Sequence, residues 1–237
     1  MRFKTIHSLG SRCQNSDILK HYGYREFSGF FDFMNTHHID IINHILADDF
    51  NQALTKQNIK AITCNQLTYD PETGQPLPTS IRTSNAFYNA NVNDVHLAIY
   101  PHHDLTQEHV YQHFVNCKLR FKKLQHFPTL FNYTYNTWEN QVTLGDMDYM
   151  TTALEKVHNM HNYRICFIGV EYGKHSLYEK ISINEKYDVW KLVIQPNSFT
   201  GGLFSNEQDN YNYISIIKTY EIDENRITKQ QIDNYEL

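Results

Sequence analysis

Arg164-Ile165-Cys166-Phe167-Ile168-Gly169-Val170 is a near-continuous apolar run. A strand wetted on one side alternates apolar and polar residues. A run without alternation marks a strand covered on both faces, and such strands belong to parallel sheets between helices. Upstream, Met147, Met150, Leu154 and Val157 recur at helical spacing, and Thr129 to Tyr135 reads as a strand. Downstream, Tyr187 to Gln195 reads as a strand and Tyr213 to Glu221 as another. Further back, residues 105–126 carry Val110, Phe114, Cys117, Phe121 and Leu124 at intervals of 4, 3, 4 and 3. That is one apolar helical stripe, with Lys118, Lys122 and Lys123 largely off it. Val95 to Tyr100 is the strand before it. Residues 65–93 hold Asp70-Pro71, Gly74, Pro76 and Pro78 and read as a long loop with at most a short strand.

The first segment, Phe3 to Leu9, alternates and stops at Gly10, so it predicts a strand. A helix is expected from Ser11 to Tyr22, since Ser11 and Gln14 have capping-box spacing and Gly23 supplies a stop. Thr36 is expected to cap a second helix running to Leu46. Strands alternate with helices. The expected fold is therefore α/β, a mixed sheet flanked by helices, in a single domain over residues 1–237.

Hydrophobic residues make up 41%, aromatics 14% and charged residues 20%, a balance that excludes a disordered chain. The net charge is −5, which offers no basic excess for nucleic acid. No apolar run has the length of a membrane span, and the first residues lack a signal-peptide pattern. A cytoplasmic location is expected. No spacing suggests a metal site or a cofactor motif, and none is expected.

Four cysteines, 13, 64, 117 and 166, are widely and irregularly spaced, so zinc and disulfides are both disfavoured. Cys117 lies in a helical stripe, Cys166 inside a strand, and Cys64 ahead of the loop; all three read as structural. Cys13 differs. In the first turn of a helix, unpaired backbone N–H groups and the helix dipole favour a thiolate and can hold an oxyanion. The bland alternative is a first-turn cysteine packed under the strand.

A thiol nucleophile needs a base, and the chain has 14 histidines. His37, His38, His158 and His161 fall at helix ends, where solvated histidines are common. His102-His103-Asp104 follows a strand. Alternation puts His103 on the face of Leu97 and Ile99, the expected core side, and His102 on the other. His103 is the preferred base and His175 the reserve. Asp32, set among Phe30, Phe31 and Phe33, is a candidate to orient the histidine, with a pair to Arg25 as the structural alternative. Asp104 has the spacing of an N-cap with Gln107 and is a weaker orienter.

These segments resemble a bacterial family of unknown function described as papain-like cysteine peptidases. The likeness is carried by Ser8-Leu9-Gly10-Ser11-Arg12-Cys13, Tyr22-Gly23-Tyr24-Arg25, Phe30-Phe31-Asp32-Phe33, Tyr100-Pro101-His102-His103-Asp104, Arg120-Phe121 and Pro128-Thr129-Leu130-Phe131. It covers roughly residues 3–135. It departs from the family where Phe30 and Phe33 replace the usual Pro and Trp around the Asp, and where a paired arginine is reduced to Leu119-Arg120. The resemblance implies Cys13 as nucleophile, His103 as base and Asp32, less surely Asp104, as support. It also implies a papain-like α+β fold as the alternative architecture.

A strand before the nucleophile helix is also similar to flavodoxin-like esterases. Cys13-Gln14 is similar to the G-x-C-Q turn of a group of capsule-biosynthesis acyltransferases. Three functions follow as expectations. One is a thiol hydrolase acting on a small-molecule, peptide or glycan substrate. The second is an acyltransferase to a cell-surface glycan or its precursor, with Arg12, Arg120 and the Lys118, Lys122 and Lys123 cluster as candidate phosphate contacts and a solvated helix face as the favoured alternative. The third is a binding module using the aromatics Phe131, Tyr133, Tyr135 and Trp138.

Overall fold

The structure is a computed structural model. It describes residues 1–36, 38–63, 75, 81–91, 99–139, 141–196, 198 and 203–236. The chain begins with β1 (Thr5–Ser8) and α1 (Cys13–His21), then α2 (Ile39–Ala47) and α3 (Asn51–Leu54). A hairpin of β2 (Ile59–Thr63) and β3 (Ile81–Asn85) leads to α4 (Ala86–Asn91) and the long α5 (Glu108–Lys123). Next come β4 (Thr129–Asn136), α6 (Leu144–Lys156), β5 (Tyr163–Tyr172), β6 (Leu177–Ile183) and β7 (Tyr187–Ile194). The helices α7 (Glu207–Lys218) and α8 (Lys229–Asp233) follow.

The main sheet has five strands in the order β1-β4-β5-β7-β6. The pairs β1–β4, β4–β5 and β5–β7 are parallel, and β6 joins antiparallel at the edge. A single bridge from Phe3 to Ile222 continues the sheet beyond β1. The expected α/β architecture is what forms, and the papain-like α+β alternative is not.

Alternation along the inner strands sends side chains to two cores. Phe131 and Tyr133 of β4 and Ile165 and Phe167 of β5 pack toward α2, α5 and α6. Leu130, Cys166, Ile168 and Val170 pack toward Ile18 and Leu19 of α1 and Tyr213, Ile214 and Ile217 of α7. The run at 164–170 is apolar because helices cover it on both sides. Under α5, Phe30, Phe31, Phe50, Phe114 and Phe121 meet edge-on or tilted, with centroids as close as 4.6 Å for Phe30 and Phe50.

Two expectations are corrected, and one strand was not anticipated. Tyr213 to Glu221 is not a strand: Tyr213 to Lys218 belongs to α7. Its β-branched and aromatic residues suggested a strand, but Asn210, Tyr213, Ile214 and Ile217 fall at helical spacing on one buried face. Asn206 caps the helix by accepting from the N–H groups of Gln208 and Asp209. Within the segment read as loop, 81–85 form β3, the short strand that reading allowed, and 86–91 form α4 rather than loop. The edge strand β6 lacked the buried pattern that would announce it, since all of its residues are exposed. Cys64 and most of the expected Val95 to Tyr100 strand lie outside the described residues. Among the described residues, no helix is long and apolar enough to cross a membrane.

Candidate active site

Parallel sheets expose the carboxyl ends of their strands along one edge, where loops collect and ligands bind. Cys13 follows β1 on that edge. The connecting turn is held from several sides. Gly10 has φ +95°, and the Ser8 hydroxyl accepts its N–H at 3.1 Å. The Gly10 carbonyl accepts from the Asn15 side-chain amide. Ser11 donates both its hydroxyl (2.7 Å) and its N–H (3.3 Å) to Thr134 O on β4, and its carbonyl accepts from Thr36 N–H at 2.8 Å. The expected capping box therefore does not form. With the Ser11 hydroxyl on the strand, Arg12 takes the N-cap position and Cys13 is the first helical residue. Arg12 grips Glu139 in the turn after β4 with distances of 2.6 and 2.8 Å.

The sulfur of Cys13 lies 3.9 Å from Nε2 of His102. The adjacent His103 is buried instead, its ring edge-on to Phe33 and Phe114 at 5.2 and 5.5 Å. Alternation holds only along a continuing strand. Tyr100 makes an isolated bridge to Thr83, and His103 N–H closes a turn onto Tyr100 O at 3.4 Å. Pro101 takes the first corner of that turn, which its fixed φ favours. His102 takes the second corner, next to Cys13. His175 is exposed in the β5–β6 connection.

Burial, followed by the Asp17 carboxylate, pushes the Cys13 thiol up to about 11. The N–H groups of Cys13 and Gln14 and the charge of Arg12 act in the opposite direction and are outweighed. The thiolate expected from the helix start is thus not the resting form. Burial and the positive charge of Arg82 lower the pKa of His102, so its imidazole is neutral at pH 7. Gln14 is buried beside Cys13, and its Nε2 has no acceptor among the described residues.

Asp32 is buried and paired with Arg25 at 2.9 Å; the same oxygen accepts Gly29 N–H at 2.8 Å. Ser16 of α1 hydrogen-bonds both Arg25 and Asp32. Burial raises the Asp32 carboxyl, with Arg25, Gly29 and Ser16 pulling against it. The hydrogen bonds of Asp32 among the described residues thus run to α1 and its flanking loop. Phe30 and Phe33, which stand in place of Pro and Trp, pack respectively on Phe50 and Phe114, and between Arg25 and His103. Asp104 closes the turn before α5, accepting from Thr106 N–H at 3.1 Å and the Gln107 amide at 3.0 Å.

The remaining thiols behave as small buried groups. Burial pushes Cys117 and Cys166 each up to about 12. The basic cluster of α5 is matched within the fold. Arg120 pairs with Asp233 and Lys122 with Asp49, while Lys123 donates to the carbonyls of Ile232 and Asp233. Of the candidate sugar-stacking aromatics, Phe131, Tyr133 and Tyr135 are core residues. Trp138 is exposed and stacks on Tyr172 at 4.2 Å, both at the carboxyl edge. Among the described residues, no cluster of three or more His, Cys, Asp or Glu is arranged to hold a metal.

The model of the family described as "Putative papain-like cysteine peptidase (DUF1796)" matches residues 4–173. The chain belongs to this family. The matched span runs from β1 into the turn after β5 and includes Cys13, Asp32, His102 and His103. The segment from β6 through α8 lies beyond it. No curated protein and no solved structure matches the chain.

The sequence did not point to the proximity of His102 or Asp17 to Cys13, nor to that of Arg82 to His102. Pro101 was the available signal for His102, because a proline after a strand commonly turns the chain. Arg82 carried none, since it lies in a segment read as loop.

Proposed function

We propose that the chain is a thiol hydrolase of the papain-like cysteine peptidase family, with Cys13 as nucleophile and His102 as general base. The observation that carries this is the 3.9 Å approach of Cys13 Sγ to His102 Nε2 on the carboxyl edge of the sheet. Both groups are neutral at rest, so the proton moves as the bond forms rather than before. Sγ attacks the acyl carbon, its proton passes to His102, and the carbonyl electron pair shifts to oxygen. The N–H groups of Cys13 and Gln14, in the first helical turn, are the donors available to that oxyanion. Collapse expels the leaving group, which takes the proton from His102. Water then attacks the thioester with the same base, releasing the acid and restoring the thiol.

Mass spectrometry after exposure to p-nitrophenyl acetate tests this. An acetyl group is expected on Cys13, with acylation slowed about 100-fold by His102→Ala and less by His103→Ala. Acetylation at another residue, or an unchanged rate in His102→Ala, would exclude this pair.

A second reading is acyl transfer to a sugar hydroxyl. The stacked pair of Trp138 and Tyr172 on the same edge supports it. Faster loss of the acetyl group with added sugar than with buffer alone would favour transfer.

A further inference from the structure

Seven arginines occur in the sequence, and six of them are ion-paired: Arg2, Arg12, Arg25, Arg120, Arg164 and Arg226. Among the described residues, the Arg82 side chain has no ion pair and no hydrogen bond, and its Nε is buried without an acceptor. A buried N–H donor left without a partner is unfavourable. In a chain of net charge −5, carboxylates to match it are not scarce.

The position of Arg82 is defined by its neighbour. Thr83 N–H donates to Tyr100 O at 3.2 Å, and Tyr100 N–H donates to Thr83 O at 2.9 Å. The Thr83 hydroxyl donates to His103 O at 3.0 Å and accepts Leu105 N–H at 2.9 Å. Residue 83 is therefore clamped on both sides of the turn that carries His102. In this antiparallel bridge, Arg82 comes one residue before Thr83, and Pro101-His102 directly follow Tyr100. The hairpin thus sets a cation beside the turn whose histidine meets Cys13. The lowered pKa of His102 agrees with that proximity.

We propose, on the footing that Cys13 and His102 are the reacting pair, that Arg82 binds an anionic group, carboxylate or phosphate, of the substrate next to the acyl carbon. A guanidinium presents parallel donors that fit either anion, and partial desolvation strengthens the contact. The bound anion supplies the acceptor that Nε lacks and the charge that Arg82 is not given elsewhere. The hydrolase would then select acyl compounds bearing a negative charge.

Cys13 alkylation by two reagents of nearly the same shape tests this. Iodoacetate carries a carboxylate and iodoacetamide a neutral amide. The ratio of their rates at Cys13, read by peptide mass spectrometry, is expected to fall about tenfold in Arg82→Gln. It is expected to recover in part in Arg82→Lys, which keeps the charge. Inorganic phosphate and acetate, tried separately, are expected to slow alkylation in the wild type and not in Arg82→Gln. Stronger protection by phosphate assigns a phosphoryl group, and by acetate a carboxylate. An unmoved ratio in folded Arg82→Gln overturns the role of Arg82 while leaving Cys13 and His102 in place. An iodoacetamide rate that His102→Ala does not change overturns the reacting pair, and the role of Arg82 with it.

Discussion

At Cys13, burial and the Asp17 carboxylate hold a proton on sulfur against two backbone amides and Arg12. Asp17→Asn removes a repelling charge and keeps the shape. The thiol pKa is expected to fall. At about pH 8 the alkylation rate is expected to rise roughly three- to tenfold, because the thiolate fraction changes tenfold per pKa unit. An unchanged rate would mean that burial alone sets the thiol. Gln14 gives a second test at this scale. Its buried Nε2 has no acceptor among the described residues, so Gln14→Leu is expected to leave thermal stability equal or higher. A loss of acylation in the same variant would place the amide in the reaction. The position of Cys13 was legible because Gly10 and the helix after it follow from local rules. The choice between His102 and His103 was not. Strand parity decides between neighbours only while the strand continues, and here residues 100–103 form a turn.

The helix carrying the nucleophile is fixed by partners far away in sequence. Ser11 is anchored to Thr134, Arg12 to Glu139, and Ser16 to the Arg25–Asp32 pair. Both members of that pair are over nine-tenths buried, at 7% and 1% side-chain exposure. Asp32→Asn leaves Arg25 buried without its countercharge and is expected to cost about 3–5 kcal/mol in urea unfolding. If Asp32 acted by orienting the base, the variant would instead unfold normally and show a displaced pH–rate profile. Gly10→Ala tests the turn itself. A Cβ there would collide with the Thr36 hydroxyl, and φ is +95°. Slower acylation with the fold retained is expected, since Thr36 also holds Ser11. Elements with an apolar stripe, such as α5 and β5, were readable because burial leaves a periodic record. In α7 the same residues satisfied a strand propensity, and only the spacing separated the two. β6 left no such record, because an exposed edge strand has no buried face.

Over the whole molecule, the sheet stacks its core on both sides and leaves chemistry to one edge. His7 on β1 is part of that core. Burial, with Arg25 and Arg120 adding, lowers its pKa to about 3. Between about pH 6.5 and about pH 3 the unfolded chain takes up a proton that the folded chain refuses. Stability is therefore present near neutrality and lost as the pH falls through that window. Relative to His7→Gln, the wild type is expected to lose on the order of 3 kcal/mol more between about pH 7 and about pH 4. Parallel curves for the two proteins would show that His7 is not the titrating group. The resting proton on Cys13 carries a different consequence. Peroxide and disulfide reagents attack the thiolate, so a thiol held protonated is oxidised slowly to sulfenic acid. The proposed nucleophile would thereby endure oxidant exposure that silences a preformed thiolate–imidazolium pair.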